Sequence, residues 1–313
     1  MNNLSKCLLC YKPINDIRSF IEDAHVKCCN KLFGKNFYPK FEYQFNDIVN
    51  LSNVNIKSGI SIPGVQPKVL LHIENKSLVP SIELSEFILK PPQALYPQIV
   101  ELEDITMHLA SLCKIKTAEH GLLRLKSGEL VYLTRRFDRY KGKKIAVEDL
   151  CQLSETYTEN KYHTSMEKIG KTILKYSDFP GIDILLYFER TIFFFLTGNA
   201  DMYPKNFSLI TEIPGQIKLS PAYDLLPSKL VIPEDKEEMA LSLNDKKSNF
   251  TKNDFITFAR NLGINDKVIT NTFDEFKKYV PLMLDFLDKG FLSEYMVKEY
   301  KKLIEERANR LNL

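Results

Sequence analysis

Residues 198–206 read Gly-Asn-Ala-Asp-Met-Tyr-Pro-Lys-Asn, and residues 220–225 read Ser-Pro-Ala-Tyr-Asp-Leu. Asp201 thus stands five residues before Asn206, and a second aspartate, Asp224, follows after two short apolar runs. This is the order D-x-x-x-x-N … D of the catalytic and metal-binding loops of protein kinases. In that chemistry Asp201 accepts the proton of an attacking hydroxyl, while Asn206 and Asp224 offer oxygen ligands to Mg²⁺. Asp and Asn are also common turn formers, so the interpretation needs partners elsewhere in the chain.

A lysine upstream supplies the first partner. Lys90 ends the apolar run Glu-Phe-Ile-Leu-Lys at residues 86–90, which predicts a strand that two prolines terminate. A strand lysine in a nucleotide-binding lobe reaches the ATP phosphates and is held by a glutamate of the next helix. Helical spacing of apolar residues predicts that helix between about Pro97 and Lys114, with Glu103 as the preferred partner and Glu101 as the alternative. The other interpretation is a lysine that extends its amine to the surface.

A glycine-containing segment lies just before the first predicted strand. Residues 58–68 read Ser-Gly-Ile-Ser-Ile-Pro-Gly-Val-Gln-Pro-Lys, and they include Ser61 and Gly64. Such a segment lets backbone N–H groups approach phosphates. Glycines also mark ordinary turns. The segment therefore supports a nucleotide site only together with Lys90 and the Asp201 loop.

The remaining pattern divides the chain into two parts. Residues 35–145 are rich in strand patterns and contain one clear helix, whereas residues 146–313 are mainly helical. Residues 182–197 are almost entirely apolar, which predicts a helix at the centre of the second part. The expected class is α+β, with a small mixed N-lobe that carries the glycine-containing loop and Lys90, and a larger helical C-lobe that carries the catalytic and metal-binding loops.

Composition excludes several classes of protein. The 313 residues are 44% hydrophobic and 27% charged, which is ordinary for a globular protein and unlike a disordered or fibrous chain. A net charge of +3 is too small to predict direct binding to nucleic acid by electrostatics. Charged residues interrupt the longest apolar stretch, so no membrane span is expected. Without a recognisable secretory signal at the start, a reducing cytoplasm is the expected compartment.

Four of the six cysteines fall within the first 29 residues. Cys7-x-x-Cys10 and His25-x-x-Cys28 have the spacing of a small Cys₃His zinc site, since each close pair can bind one ion from a tight turn. Reduced cysteines that merely pack an N-terminal flap are the alternative. Residues 1–34 are therefore interpreted as a separate Cys-rich segment with a candidate structural zinc site.

With these motifs assembled, the sequence resembles the HipA family of bacterial toxin serine/threonine kinases. The resemblance rests on six motifs in the family's order, at residues 59–68, 87–91, 136–139, 148–152, 198–208 and 219–224. The chain is shorter than full-length HipA and resembles the compact HipT branch, whose missing subdomain is a separate small protein, HipS. Tyr203 replaces the family's usual histidine and Pro204 is uncommon there, so the detailed arrangement of this loop is expected to differ.

The resemblance implies a role for each position. Lys90 would contact ATP phosphates, Arg135 and Phe137 would present backbone groups to adenine, and Asp138 would approach the ribose. Ser61 occupies the position of the family's autophosphorylated serine.

The resemblance also implies a function. It indicates an ATP- and Mg²⁺-dependent kinase that is the toxin of a HipBA- or HipBST-like toxin–antitoxin system. The expected substrate is an aminoacyl-tRNA synthetase, whose phosphorylation would inhibit translation. The expected partners are a HipS-like small protein and a HipB-like DNA-binding antitoxin. Two alternatives stay open at this point: a small-molecule kinase, and a catalytically weak module that assembles with a DNA-binding antitoxin.

Overall fold

The computed structural model describes residues 6–14, 20–57, 66–140, 142–154, 164–212 and 214–313, with the backbone alone described at 53–57. The chain divides into two compact units. The first unit comprises Met1–Ile105, Ala118–Gly142 and Lys289–Phe291, and the second comprises Thr106–Thr117, Lys143–Asp288 and Leu292–Leu313. None of the described helices is long and apolar enough to cross a membrane.

The first unit opens with two very short strands and two helices. Strands β1 (Phe20–Ile21) and β2 (Ala24–His25) pair antiparallel and lead directly into helix α1 (Val26–Phe33). Helix α2 (Phe45–Lys57) follows. The sequence predicts only one helix between residues 35 and 145, and α2 is a second. Its start is capped, because the Asp47 carboxylate accepts the Gln44 backbone N–H at 2.9 Å, and its buried residue Ile48 joins the core.

A five-stranded antiparallel sheet forms the centre of the first unit. Its strands, in spatial order, are β4 (Ser77–Pro80), β3 (Val69–Glu74), β5 (Phe87–Lys90), β7 (Leu130–Arg135) and β6 (His120–Arg124). Buried residues of β3, β5, β6 and β7 share one hydrophobic core with α1 and with the segment around Cys7. The strands predicted around Lys90 are therefore present, and β5 lies in the middle of the sheet.

Helix α3 (Ile99–Leu112) occupies the position predicted from its apolar spacing. Its residues up to Ile105 belong to the first unit and those from Thr106 belong to the second. Two short strands, β8 (Arg139–Tyr140) and β9 (Lys143–Lys144), complete this part of the chain.

The second unit is mainly helical. Its antiparallel sheet has the order β10 (Val147–Asp149), β11 (Ser208–Glu212), β12 (Gln216–Leu219). Its helices are α4 (Leu150–Leu153), α5 (Met166–Tyr176), α6 (Pro180–Thr197), α7 (Ser228–Val231), α8 (Lys252–Asn261), α9 (Asp266–Leu287) and α10 (Glu294–Arg310).

Helix α6 is the core of the second unit, as its apolar sequence predicts. It starts two residues earlier than the predicted stretch, because Pro180 occupies its first turn, where a missing N–H costs nothing. Phe195 packs against Phe250 and Phe255 at ring-centroid distances of 6.0 and 5.2 Å. The helix ends at Gly198, which has the left-handed backbone conformation (φ 72°).

Candidate active site

The loop that carries Asp201 begins at the C-terminal cap of α6. Gly198 allows a close approach there, since a Cβ at this position would lie 2.6 Å from Leu303 Cδ2 and 3.2 Å from Lys229 Cβ. The Ser228 hydroxyl accepts the Ala200 backbone N–H at 2.8 Å, and the Lys229 backbone N–H donates to the Gly198 carbonyl at 3.0 Å. Helices α6 and α7 thus fix the chain immediately before Asp201.

Hydrogen bonds within the loop hold Asp201 and Asn206 together. The Asn206 side-chain amide donates to the Asp201 carbonyl at 2.6 Å, and the Tyr203 backbone N–H donates to the same oxygen at 3.2 Å. Asp201 is exposed, so an acceptor can approach its side chain. Because Asn206 uses its nitrogen as the donor, its amide oxygen is the atom suited to coordinate a cation.

The unusual Pro204 fits this loop. It is the first residue of a 3-10 turn that spans Pro204–Asn206, where its fixed φ is favourable and no N–H is needed. The departure from the family's usual sequence is therefore compatible with the loop seen here.

Asp224 is joined to the same loop through the residue before it. The hydroxyl of the half-buried Tyr223 donates to the Lys205 carbonyl at 2.9 Å and lies 2.6 Å from the Ser208 hydroxyl on β11. Burial raises the pKa of Tyr223, so the phenol stays protonated. Asp224 itself has a left-handed backbone (φ 58°), a conformation that aspartate tolerates better than most residues. The Tyr223–Lys205 hydrogen bond thus joins the residue before Asp224 to the residue before Asn206.

Two buried polar residues of α6 support the segment that leads to Asp224. The Arg190 guanidinium donates to the Ser220 carbonyl at 2.6 Å, and burial lowers the pKa of Arg190 to about 10. The Asp183 carboxylate accepts the Leu219 backbone N–H at 2.7 Å. The sequence shows both only as interruptions of an apolar helix. The signal that could have identified them is that a charged residue in a buried helix needs a polar partner.

In the first unit, Lys90 forms a buried ion pair with Glu103. The Lys90 ammonium lies 2.6 Å from the Glu103 carboxylate, and the two side chains are 4% and 1% exposed. The Tyr132 ring, on the neighbouring strand, lies with its centroid 5.6 Å from the same ammonium. Glu101, the alternative partner, is half-buried, and burial raises the pKa of its carboxyl. Of the two candidate glutamates, Glu103 is thus the one paired with Lys90.

The residues considered for adenine and ribose lie at the end of β7 and just after it. The Arg135 backbone N–H already donates to the Glu119 carbonyl at 2.7 Å. A backbone contact of Arg135 with adenine would therefore have to use its carbonyl. Phe137 follows in the next turn. Burial acts to raise the pKa of Asp138, but hydrogen bonds and ion pairs from Arg136 and Arg139 outweigh it and leave that pKa below its usual value.

Three further predictions concern the start of the chain. Ser61 and Gly64 lie outside the described residues, which begin again at Gln66, just before β3. The four candidate zinc ligands, by contrast, come together. One ligand atom from each of Cys7, Cys10, His25 and Cys28 lies within 4.8 Å of the others.

Comparisons with known proteins agree with this architecture. The family model described as the HipA-like C-terminal domain matches residues 60–282, which is more than half of the chain. A Haemophilus influenzae protein named "Putative kinase" is 26% identical over 263 residues, covering 75% of this chain and 76% of that protein. A Sinorhizobium fredii protein named "Putative kinase Y4mE" is 27% identical over 271 residues, covering 81% of this chain and 64% of that protein.

Solved structures share the fold, and two of them illustrate the match. HipA of Shewanella oneidensis, solved with HipB and operator DNA, has a TM-score of 0.70 at 19% identity, over 87% of this chain and 72% of that one. The Helicobacter pylori proinflammatory kinase CtkA has a TM-score of 0.55 at 17% identity, over 78% of this chain and 90% of that one. The α+β fold is therefore the kinase-like HipA fold.

Proposed function

The chain belongs to the family of HipA-like C-terminal domains, and on that premise we propose that it is an ATP-dependent protein serine/threonine kinase. The observation that carries the proposal is the hydrogen-bonded loop that holds Asn206 against the Asp201 carbonyl and, through Tyr223, joins this loop to Asp224. The buried Lys90–Glu103 pair supplies the second element of a kinase site.

The donor groups fit ATP and Mg²⁺. A carboxylate from Asp224 and an amide oxygen from Asn206 are hard oxygen ligands of the kind Mg²⁺ prefers. When bound, Mg²⁺ would neutralise charge that develops on the phosphates during transfer. Lys90 would bind the phosphates, and Glu103 would hold its ammonium in place. Asp201 would orient the acceptor hydroxyl and take its proton.

For the nucleoside we propose the contacts that the resemblance implies. Backbone groups of Arg135 and Phe137 would meet adenine, and Asp138 would approach the ribose. Because Arg136 and Arg139 already bind the Asp138 carboxylate, a ribose hydroxyl would have to share it with them.

We further propose that this kinase is the toxin of a toxin–antitoxin system, most similar to the compact HipT branch. The Shewanella relative was solved together with HipB and operator DNA, which supports a HipB-like antitoxin as partner here, with a HipS-like small protein as the second. The proposed substrate is an aminoacyl-tRNA synthetase in the cytoplasm. Its phosphorylation would stop tRNA charging and inhibit translation.

The test of the toxin role is induced expression of the parent chain and of Asp201→Asn in a bacterial host. The parent should arrest growth, accumulate uncharged tRNA and add phosphate to a synthetase, and the variant should do none of these. Growth arrest by both proteins, or a phosphorylated metabolite with no phosphorylated protein, would contradict the proposal.

Ser61 is the proposed autophosphorylation site. A phosphate there adds about −1.5 to −2 charges in a segment that we propose faces the similarly charged phosphates of ATP, so modification should inhibit nucleotide binding. Intact mass after incubation with ATP and Mg²⁺, followed by peptide mapping, should locate one phosphate at Ser61. An active enzyme with unmodified Ser61, or Ser61→Asp with parental ATP affinity, would refute this role.

A further inference from the structure

A cluster of three thiols and one imidazole in the first unit has no part in the proposed kinase chemistry. Its ligand atoms, one each from Cys7, Cys10, His25 and Cys28, lie within 4.8 Å of one another. Cys10 Sγ lies 3.4 Å from His25 Nδ1. We propose that these four residues bind one structural Zn²⁺ ion in a tetrahedral Cys₃His site.

The spacing of the four groups suits the ion. With Zn–S bonds of about 2.3 Å, the sulfur ligands of a tetrahedral site lie roughly 3.8 Å apart. The four groups therefore need only small side-chain adjustments to share one ion. A disulfide would use only two of the three thiols and would not account for the position of the His25 nitrogen beside the Cys10 sulfur.

The first ligand pair, Cys7 and Cys10, lies in a tight turn of the kind that binds zinc in C-x-x-C sites. The Cys7 sulfur accepts two backbone N–H groups, from Leu9 and from His25, each at 3.4 Å. The turn closes with the Tyr11 N–H donating to the Cys7 carbonyl at 2.9 Å, and Tyr11 has the left-handed backbone (φ 62°) that glycine usually supplies. Backbone donors to a ligand sulfur stabilise the thiolate form that metal binding requires.

The second ligand pair comes from the start of α1. His25 is the last residue of β2 and the N-terminal cap of α1, and Cys28 lies in the first turn of that helix. Cys29, its neighbour, is fully buried in the hydrophobic core of the first unit, and its sulfur is not one of the four clustered ligand atoms. Of these two adjacent cysteines, only Cys28 has its sulfur within reach of the other three ligand atoms.

The site fastens the N-terminal segment to the sheet and to α3. The Leu122 N–H on β6 donates to the Leu8 carbonyl at 3.4 Å, and the Leu9 side chain packs directly on Gly121, where a Cβ would displace the Leu9 Cδ2 methyl. The Tyr11 hydroxyl donates at 2.6 Å to Asp104, a fully buried residue of α3. An ion that fixes Cys7 and Cys10 therefore also fixes the residues between and just after them.

The neighbouring cysteines provide a matched experiment. The full chain and the variants Cys10→Ser, Cys28→Ser and Cys29→Ser are purified after expression with added zinc, and metals are measured by inductively coupled plasma mass spectrometry. We expect one zinc per chain in the parent and in Cys29→Ser, and a loss of most of the zinc in the other two.

A second measurement covers the case in which a ligand variant does not fold. A mercurial reagent added to the folded parent should release one equivalent of zinc to a chromogenic chelator. Replacement by Co²⁺ should give the thiolate charge-transfer band and the intense d–d bands of a tetrahedral site. Parent protein without stoichiometric zinc, with another metal in its place, or with a Cys7–Cys10 disulfide would overturn the proposal. Equal zinc content in Cys28→Ser and Cys29→Ser would also overturn it.

Discussion

Removal of one charge from the Lys90–Glu103 pair should destabilise the protein far more than removal of a surface charge. At an effective dielectric constant of about 20, unit charges 2.6 Å apart attract by roughly 6 kcal/mol. The cost of removing both charged groups from water offsets most of that attraction, so the pair as a whole adds little to the free energy of unfolding. One charge left alone in the same place, however, costs about 3–5 kcal/mol. We therefore expect Glu103→Gln and Lys90→Met each to lower the free energy of unfolding by that amount.

The double variant separates this mechanism from ordinary loss of packing. Lys90→Met combined with Glu103→Gln leaves no unpaired charge, so the double variant should lose far less stability than the sum of the two single losses. The assay is guanidinium unfolding followed by circular dichroism. Lys278→Met is the matched control, since it breaks an exposed ion pair to Glu275 of nearly equal length and should change stability little. Additive losses in the double variant, or an unaltered unfolding midpoint for Glu103→Gln, would refute the reasoning.

Three further predictions concern the second unit and the end of β7. Gly198→Ala should lower the free energy of unfolding by at least about 1–2 kcal/mol, because Gly198 has a left-handed backbone and an added Cβ would be crowded. Gly181→Ala has open space around the added Cβ and should stabilise α6 by about 0.5–1 kcal/mol. Thermal unfolding of the two variants and the parent measures both effects. Tyr223→Phe should cost about 1–3 kcal/mol and weaken Mg²⁺-dependent ATP binding, measured by calorimetry; parental values for both quantities would count against the role of its hydroxyl. Because the pKa of Asp138 is lowered in the folded protein, its ionised carboxylate stabilises the fold at pH values above the pKa of the unfolded chain, about 3.9, and this stabilisation is lost as pH falls through the lower pKa of the folded state. In urea unfolding, the difference in free energy of unfolding between the parent and Asp138→Asn should therefore shrink towards pH 3. A difference that does not change with pH would contradict the prediction.

The sequence predicts the elements of this protein better than the contacts between them. Helix α6 and the strands around Lys90 were predictable because apolar periodicity and prolines act locally. Helix α2 was not, since its stabilising contacts are a capping hydrogen bond and a few core residues. Ser228, Tyr223 and Arg190 escaped notice as supports of the candidate site for a related reason. Their partners lie many residues away in the chain, and residue spacing carries no information about such hydrogen bonds.

Phosphoryl transfer by purified protein tests the central claim most directly. The parent chain and Asp201→Asn are incubated with Mg²⁺ and ATP labelled at the γ-phosphate, in a bacterial lysate that contains aminoacyl-tRNA synthetases, and label in protein is counted. Because a positioned base contributes about 10²–10⁴-fold, the variant should transfer phosphate slower by that factor while it binds ATP as the parent does. Transfer by the variant at the parental rate, or a parent that binds ATP and labels no protein, would contradict the account.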